Sequence, residues 1–294
     1  MAGLVASQGG TYLDATVGGG GHSEAILEAL GAGGYLVALD RDGEAVARAR
    51  RSLDEFSDRA VIIRGSFGEL ECLLKKRRIS ELQGALFDLG VSSHQIDAPG
   101  RGFSYRQNGP LDMRMDIRQE ISASTLIARS SEAEITRIIK EYGEERKARP
   151  IARSICRGRG SRGMETTLEL REAVEAARPH NPIKTLSRVF QAFRIAVNDE
   201  LGQLEKGVDT AVAMLASGGR LAVIAYHSLE DRMVKTKLNR LVRGCICPRD
   251  IPQCVCGKMP TFRKVGGKVL RPGTDEIAVN QRARSARLRI YEKL

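Results

Sequence analysis

Residues 12–23, Y-L-D-A-T-V-G-G-G-G-H-S, constrain the fold of this chain more than any other stretch. Tyr12, Leu13, Ala15 and Val17 make a short apolar run suited to a buried strand, and four consecutive glycines at 18–21 end it. From Ser23 the spacing of Ile26, Leu27 and Leu30 is helical. Strand, glycine turn and helix follow one another. Glycines in such a turn permit positive φ and let a ligand approach the backbone closely. The start of the helix adds unpaired N–H groups and the positive end of its dipole. The stretch therefore reads as a cradle for a nucleotide or a carboxylate, and its patterned flanks argue against a flexible linker.

The chain repeats this grammar. Residues 35–39, Y-L-V-A-L, form a second strand ending in Asp40, and residues 44–56 have helical composition. Residues 60–63, A-V-I-I, are a third strand, followed closely by Phe67. Residues 84–88, G-A-L-F-D, are a fourth, ending in Asp88. Strands alternating with helical segments imply βαβ units and a parallel sheet. Ligands of such sheets bind beyond the carboxyl ends of the strands, so the glycine turn, Asp40, Phe67 and Asp88 are expected to line one crevice.

Beyond residue 99 the pattern changes to a loop and then to helices. S-E-A-E at 131–134 and T-T-L-E at 166–169 are capping-box signatures. Residues 146–162 carry seven basic side chains, among them Arg146, Arg149, Arg153, Arg157 and Arg162. The region 105–185 reads as a helical insertion between the parts of the sheet domain, 1–104 and 186–294. A long helical pattern runs from Leu186 toward Ala216, with Gly202 and Gly207 as candidate breaks and Gly218 and Gly219 as its end. A fifth strand follows at 220–226. Near the terminus 286–291 alternates like a strand, with 268–270 as its expected partner, for about seven strands in all.

The net charge of +11 on 294 residues is an electrostatic footprint for a polyanion, and nucleic acid is the favoured partner. No apolar run reaches the roughly 20 residues that span a bilayer. No secretory signal is evident at the start, so a cytoplasmic protein with no membrane partner is expected.

An acidic residue 22 positions past Gly18, Asp40, can accept both hydroxyls of a ribose. This points to an adenosine-type ligand. NAD and S-adenosylmethionine both answer that description. Gly18 and Gly20 match the dinucleotide fingerprint, but Ser23 holds its third position, and the glycine motif does not choose between the two.

Longer motifs do choose. D-L-G-V-S-S at 88–93 with Gln95, R-G-F-S at 101–104 and G-P-L-D-M-R-M-D at 109–116 resemble the RsmH (MraW) family. So do Y-G-E-E-R at 142–146, F-Q-A-F-R-I-A-V-N at 190–198, H-S-L-E-D-R at 227–232 and R-A-R-S-A-R-L-R at 282–289. The family methylates cytosine N4 in bacterial 16S ribosomal RNA. The resemblance covers nearly the whole chain in order. It implies a Rossmann-like class I methyltransferase, an α/β fold of seven strands with a helical domain inserted after the fourth. It implies S-adenosylmethionine as cofactor, the small ribosomal subunit as partner and no DNA substrate. The cofactor contacts it implies are Gly20, Gly21, His22, Asp40, Phe67, Asp88 and Gln95. Asp88 is the first candidate to accept the N4 proton, with Asp112 and His227 behind it. The basic tracts 146–162 and 282–289 would meet RNA phosphates.

Three departures stand out. Many amino-methyltransferases carry D-P-P-Y where this chain has D-L-G-V, so the base needs another platform, for which Phe103 and Tyr105 are candidates. Family members usually begin with an H-x-P-V-L segment that these residues lack, which bears on activity more than on fold. Finally, Cys245, Cys247, Cys254 and Cys256 have the spacing C-x-C-x6-C-x-C. Four thiolates there could hold a tetrahedral zinc, although the usual spacing is C-x2-C, and a reduced metal-free loop is the alternative.

Overall fold

The structure is a computed structural model that describes residues 3–160, 163–248, 253, 255–267 and 269–294. Its elements begin with β1 (Gly10–Asp14), α1 (Gly21–Leu30), β2 (Gly34–Asp40), α2 (Gly43–Ser52), β3 (Ala60–Arg64), α3 (Leu70–Lys76) and β4 (Leu82–Asp88). A run of helices follows: α4 (Ser93–Asp97), α5 (Ala123–Arg129), α6 (Glu132–Gly143), α7 (Ala148–Arg159), α8 (Thr167–Ala176), α9 (Pro182–Asn198) and α10 (Glu200–Met214). The chain closes with β5 (Leu215–Ala225), α11 (Ser228–Arg243), β6 (Phe262–Lys264), α12 (Thr274–Val279) and β7 (Arg287–Lys293). These divide into two units, 1–90 with 202–294 and 91–201.

The first unit is built on one seven-stranded sheet in the order β3-β2-β1-β4-β5-β7-β6. The first five strands are parallel, and β7 runs antiparallel to both β5 and β6. Both faces of the parallel part are covered, which is why its strands read as continuous apolar runs. Leu13, Val37, Leu39, Ala85 and Phe87 pack on one face with Leu204, Val208 and Ala211 of α10 and Val234 and Leu238 of α11. Their strand neighbours Tyr12, Leu36, Ala38 and Leu86 pack on the other with Ile26, Leu27 and Leu30 of α1 and Ala49 of α2. Tyr12 lies across β4 at Gly84, where a Cβ would come within 2.5 Å of its ring.

In three places the structure corrects the sequence-based expectation for this unit. The long helix expected from 186 to 216 is two helices. It breaks at Asp199, which takes φ 46°, while Gly202 and Gly207 continue α10. Gly207 is required by packing, since a Cβ there would stand 2.8 Å from Phe67. The fifth strand begins at Leu215 and takes Gly218 and Gly219 into itself, with an irregularity in its register on β4. The strand beside β7 is Phe262–Lys264; of the expected 268–270, Leu270 makes a single bridge to Leu288 and Lys268 lies outside the described residues. Edge pairing is decided by distant partners: Glu292 accepts from Arg220 at 3.0 Å and from Arg263 at 2.5 Å, binding β5, β6 and β7 together.

The second unit has its own core of Ile135, Ile138 and Ile139 from α6, Ile151 and Ile155 from α7, Leu170 from α8 and Val189, Phe190 and Phe193 from α9. Both expected capping boxes are present, Ser131 with Glu134 and Thr166 with Glu169. Its boundaries, 91 and 201, lie outside the expected 105 and 185. The reason is packing: α9 supplies the centre of this core, and the loop before residue 105 is tied into the same unit. The buried Arg101 donates to the carbonyls of Arg114 and Met115, both at 3.1 Å. Asn198, fully buried, donates to Met113 O at 2.7 Å and accepts from the Met115 N–H at 2.8 Å. Among the described residues no helix is long and apolar enough to cross a membrane.

Candidate active site

The glycine turn is held by a buried acid. Asp14, the last residue of β1, accepts from Ser23 Oγ at 2.7 Å and from the Thr16 N–H at 3.0 Å. Burial pushes its carboxyl above the ordinary range, against those two hydrogen bonds. Thr16 Oγ1 in turn accepts the Asp88 N–H at 2.7 Å, tying the end of β1 to the end of β4. Gly20, with φ 98°, is the residue before α1. A Cβ on it would stand 2.4 Å from Ser52 Oγ, which donates to Gly19 O at 2.9 Å. Gly19 and Gly21 have no atom within 4 Å of a would-be Cβ, so their backbone is open to a ligand. Asp14 escaped the sequence reading; an acid set in an apolar strand just before a glycine turn was the available signal.

Asp40 ends β2 as expected. One carboxylate oxygen accepts the Gly18 N–H at 3.0 Å and the other the Asp42 N–H at 2.9 Å. Each oxygen keeps a lone pair for a further donor. Burial raises this carboxyl to about 6, although both N–H groups favour its charged form. Phe67 follows β3, half-buried, with its ring edge-on to Phe87 at 5.3 Å between centroids.

Three titratable side chains meet at the end of β4. His22 Nε2 lies 3.4 Å from Asp88 Oδ2. The Asp88 carboxylate raises the imidazole above its ordinary value, and burial opposes this. Tyr226, directly after β5, joins them. Burial and then the adjacent Asp88 carboxylate push its phenol far above the usual range, so it stays protonated and able to donate. Asp88 Oδ1 is buried without a well-formed hydrogen bond. The sequence reading took Tyr226 as the last residue of the fifth strand and gave it no role. The signal was topological, since β5 lies beside β4 with Asp88 paired to Ile224.

The other expected site residues each have partners of their own. Gln95 and Asp112 belong to the second unit. Gln95 is buried and caps α4, its Oε1 accepting the Ser92 N–H at 3.0 Å. Asp112 holds Arg114 through two bonds of 2.8 Å. Burial works against its charge, but Arg114 prevails and keeps the carboxyl below its ordinary value. Phe103 lies under the Arg101 guanidinium, and Tyr105 packs edge-on to Phe190 with its hydroxyl 3.1 Å from Ser187 Oγ. In the first unit His227 caps α11, its Nδ1 facing the Glu230 N–H at 3.5 Å. Its Nε2 is 3.1 Å from the Glu230 carboxylate without hydrogen-bond alignment.

The two basic tracts part ways. On α7 the side chains of Arg149, Arg153 and Arg157 are exposed at intervals of four, opposite a buried face of Ala148, Ile151, Ala152 and Ile155. Arg162 lies outside the described residues. In the C-terminal tract two of the basic side chains have an acidic partner within the sheet unit. Arg287 and Arg289, on one face of β7, both donate to Asp231, at 3.0 and 2.6 Å.

Comparison with known proteins identifies the family of the chain. The model of the MraW methylase family matches residues 1–294. A ribosomal RNA small subunit methyltransferase H from Trichlorobacter lovleyi is 48% identical over 298 residues, covering 100% of this chain and 95% of that protein. The protein of the same name from Geotalea daltonii is 45% identical, covering 100% and 96%. Among solved structures, an rRNA methylase from Streptococcus thermophilus aligns at 12% identity with a TM-score of 0.44, covering 100% of this chain and 90% of that one. Matched along its whole length and nearly half identical to those relatives, the chain belongs to the MraW methylase family.

Proposed function

We propose that this protein transfers a methyl group from S-adenosyl-L-methionine to the N4 amine of a cytosine in 16S ribosomal RNA of the small subunit. The observation that carries the proposal is the Asp88 carboxylate, set between His22 of the glycine turn and Tyr226. Family membership and the names of the relatives support the reaction class and an RNA substrate.

The residues present fit the cofactor. Asp40 retains a lone pair on each oxygen for the two ribose hydroxyls. The open backbone of Gly19 and Gly21 leaves room beside the start of α1. Phe67, partly exposed, offers a ring face for the adenine. Bound there, the cofactor supplies a methyl carbon already made electrophilic by its sulfonium, so the protein has chiefly to align donor and acceptor.

Cytosine N4 is a poor nucleophile because its lone pair is delocalised into the ring. A carboxylate accepting an N4–H bond localises that pair as the new bond forms and then takes the surplus proton. Asp88 is assigned this role. Its second oxygen stays available to a polar group of the cofactor. Tyr226, held neutral beside the same carboxylate, is able to donate to it as the reaction proceeds. A base inside a helix has to be flipped out or presented single-stranded.

The test is methyl incorporation from labelled cofactor into small subunits from a strain lacking this methylation, with the nucleoside identified by mass spectrometry. N4-methylcytidine in 16S RNA, absent with Asp88→Ala while the variant still binds cofactor, is expected. Methylation at another atom, or full activity in Asp88→Ala, overturns the reading.

A further inference from the structure

Between α11 and β6 the described residues 244–248, 253 and 255–261 form neither helix nor strand. Among them large apolar side chains face water: Ile246 is 61% exposed, Val255 78% and Met259 76%. Loops of that length without regular structure are uncommon in a compact unit unless something fastens them. Yet the loop is closed at its base. The Thr261 N–H donates to Leu241 O at 3.0 Å. Gly244, with φ 66°, lets the outgoing chain touch the returning one, since a Cβ there would stand 2.3 Å from the carbonyl carbon of Met259.

The closed loop brings together three thiols from its two sides. The Sγ atoms of Cys245, Cys247 and Cys256 all lie within 4.8 Å of one another, and those of Cys245 and Cys256 are 3.8 Å apart. A disulfide needs sulfurs at about 2.05 Å, so this pair is not one. A tetrahedral zinc with bonds of about 2.3 Å places its sulfurs about 3.8 Å from one another, which is the separation seen. The Ile246 N–H lies 3.5 Å from Cys256 Sγ, an arrangement that favours the thiolate. In the common C-x2-C site the backbone N–H groups that support the thiolates come from the same turn. Here the spacing is C-x-C, and the supporting N–H comes from the opposite side of the loop.

We propose that Cys245, Cys247 and Cys256 bind a zinc ion that staples this loop. The site is structural and independent of methyl transfer: it has no part in the cluster around Asp88. Cys254 lies outside the described residues, and the ligand in the fourth position is a matter for spectroscopy. The metal ties the two sides of the loop together, and its binding energy becomes folding energy of the segment. The surrounding charge suits the ion's thiolates, with Arg243 and Lys258 close in sequence.

The experiment uses the full chain, purified under reductant without chelators or metal-affinity resin. Metal content is read by mass spectrometry, and the same protein is titrated with cobalt(II). About one zinc per chain is expected, with the intense thiolate-to-metal absorption of tetrahedral cobalt. Cys245→Ser and Cys256→Ser lower bound zinc by more than about tenfold. Cys72→Ser and Cys156→Ser, both outside the cluster, leave it unchanged. The proposal falls if the reduced wild-type chain takes up no zinc on equilibration and shows no thiolate absorption with cobalt. It falls equally if the triple Cys245→Ser, Cys247→Ser, Cys256→Ser variant retains the metal. The cobalt spectrum of the wild-type chain decides the matter even where a variant fails to fold.

Discussion

Asp40 carries a charge that the fold resists and the ligand requires. Burial raises its carboxyl to about 6, above the value of an unfolded aspartate. A raised acid of this kind contributes stability that is complete below about pH 4 and is lost as pH climbs through about 6. Cofactor binding runs the other way, since ribose hydroxyls donate to the ionised form. Affinity for S-adenosylhomocysteine is therefore expected to fall as pH drops below 6, approaching about tenfold per unit. Isothermal titration across pH checks this, with Asp40→Asn expected to bind weakly and with little pH dependence. Tyr226 makes a separate prediction. Because it acts through Asp88, Tyr226→Phe should lower kcat by about tenfold to a hundredfold while cofactor affinity stays within about twofold. A loss of cofactor binding equal to the loss of kcat would show that the phenol only maintains the fold of the site.

At the scale of elements, the turn between β1 and α1 combines strain with openness. Gly20 needs a left-handed backbone and the space beside Ser52, whereas Gly19 needs neither for folding. Gly20→Ala should destabilise the chain by about 1–2 kcal/mol from backbone conformation alone and weaken cofactor binding further. Gly19→Ala should leave the unliganded melting temperature nearly unchanged, and differential scanning fluorimetry of both variants tests the contrast. The turn itself was legible in the sequence because strand and helix periodicities flank it. Asp40, Phe67 and Asp88 were legible for the same reason, as residues at strand ends of a parallel sheet. The distal pairing of β7 was not. Alternation marks a strand at its own residues but does not say that Phe262–Lys264, rather than 268–270, will lie beside it.

At the scale of the whole molecule, the charge of +11 is unevenly committed. Asp231 has claimed Arg287 and Arg289 within the sheet unit, so these side chains are spent on structure. The stripe on α7 of the second unit faces solvent and is the better candidate for RNA phosphates. The double variant Arg149→Glu, Arg157→Glu should weaken RNA binding and lower its salt dependence by roughly 0.7–0.9 for each phosphate no longer neutralised. Filter binding at several salt concentrations measures both quantities. Cofactor affinity should not change, because neither arginine is among the residues proposed to bind it. An unchanged salt slope would move the RNA surface away from α7.

The sequence by itself determined the first four parallel strands and the helices after β1 and β2, both capping boxes of the helical unit and the acids that end β2 and β4. These follow from the period of the chain's own backbone and from interactions within a few residues. The tertiary structure alone decided which distant groups meet. It set Tyr226 beside Asp88 and His22, gave Arg287 and Arg289 to Asp231, drew α9 into the second core and gathered three cysteine sulfurs within one loop. Such encounters depend on sheet register and on partners 50 or more residues away in most cases, for example 56 between Asp231 and Arg287. No local pattern encodes them, because the side chain that wins each partner is chosen by packing across the folded molecule.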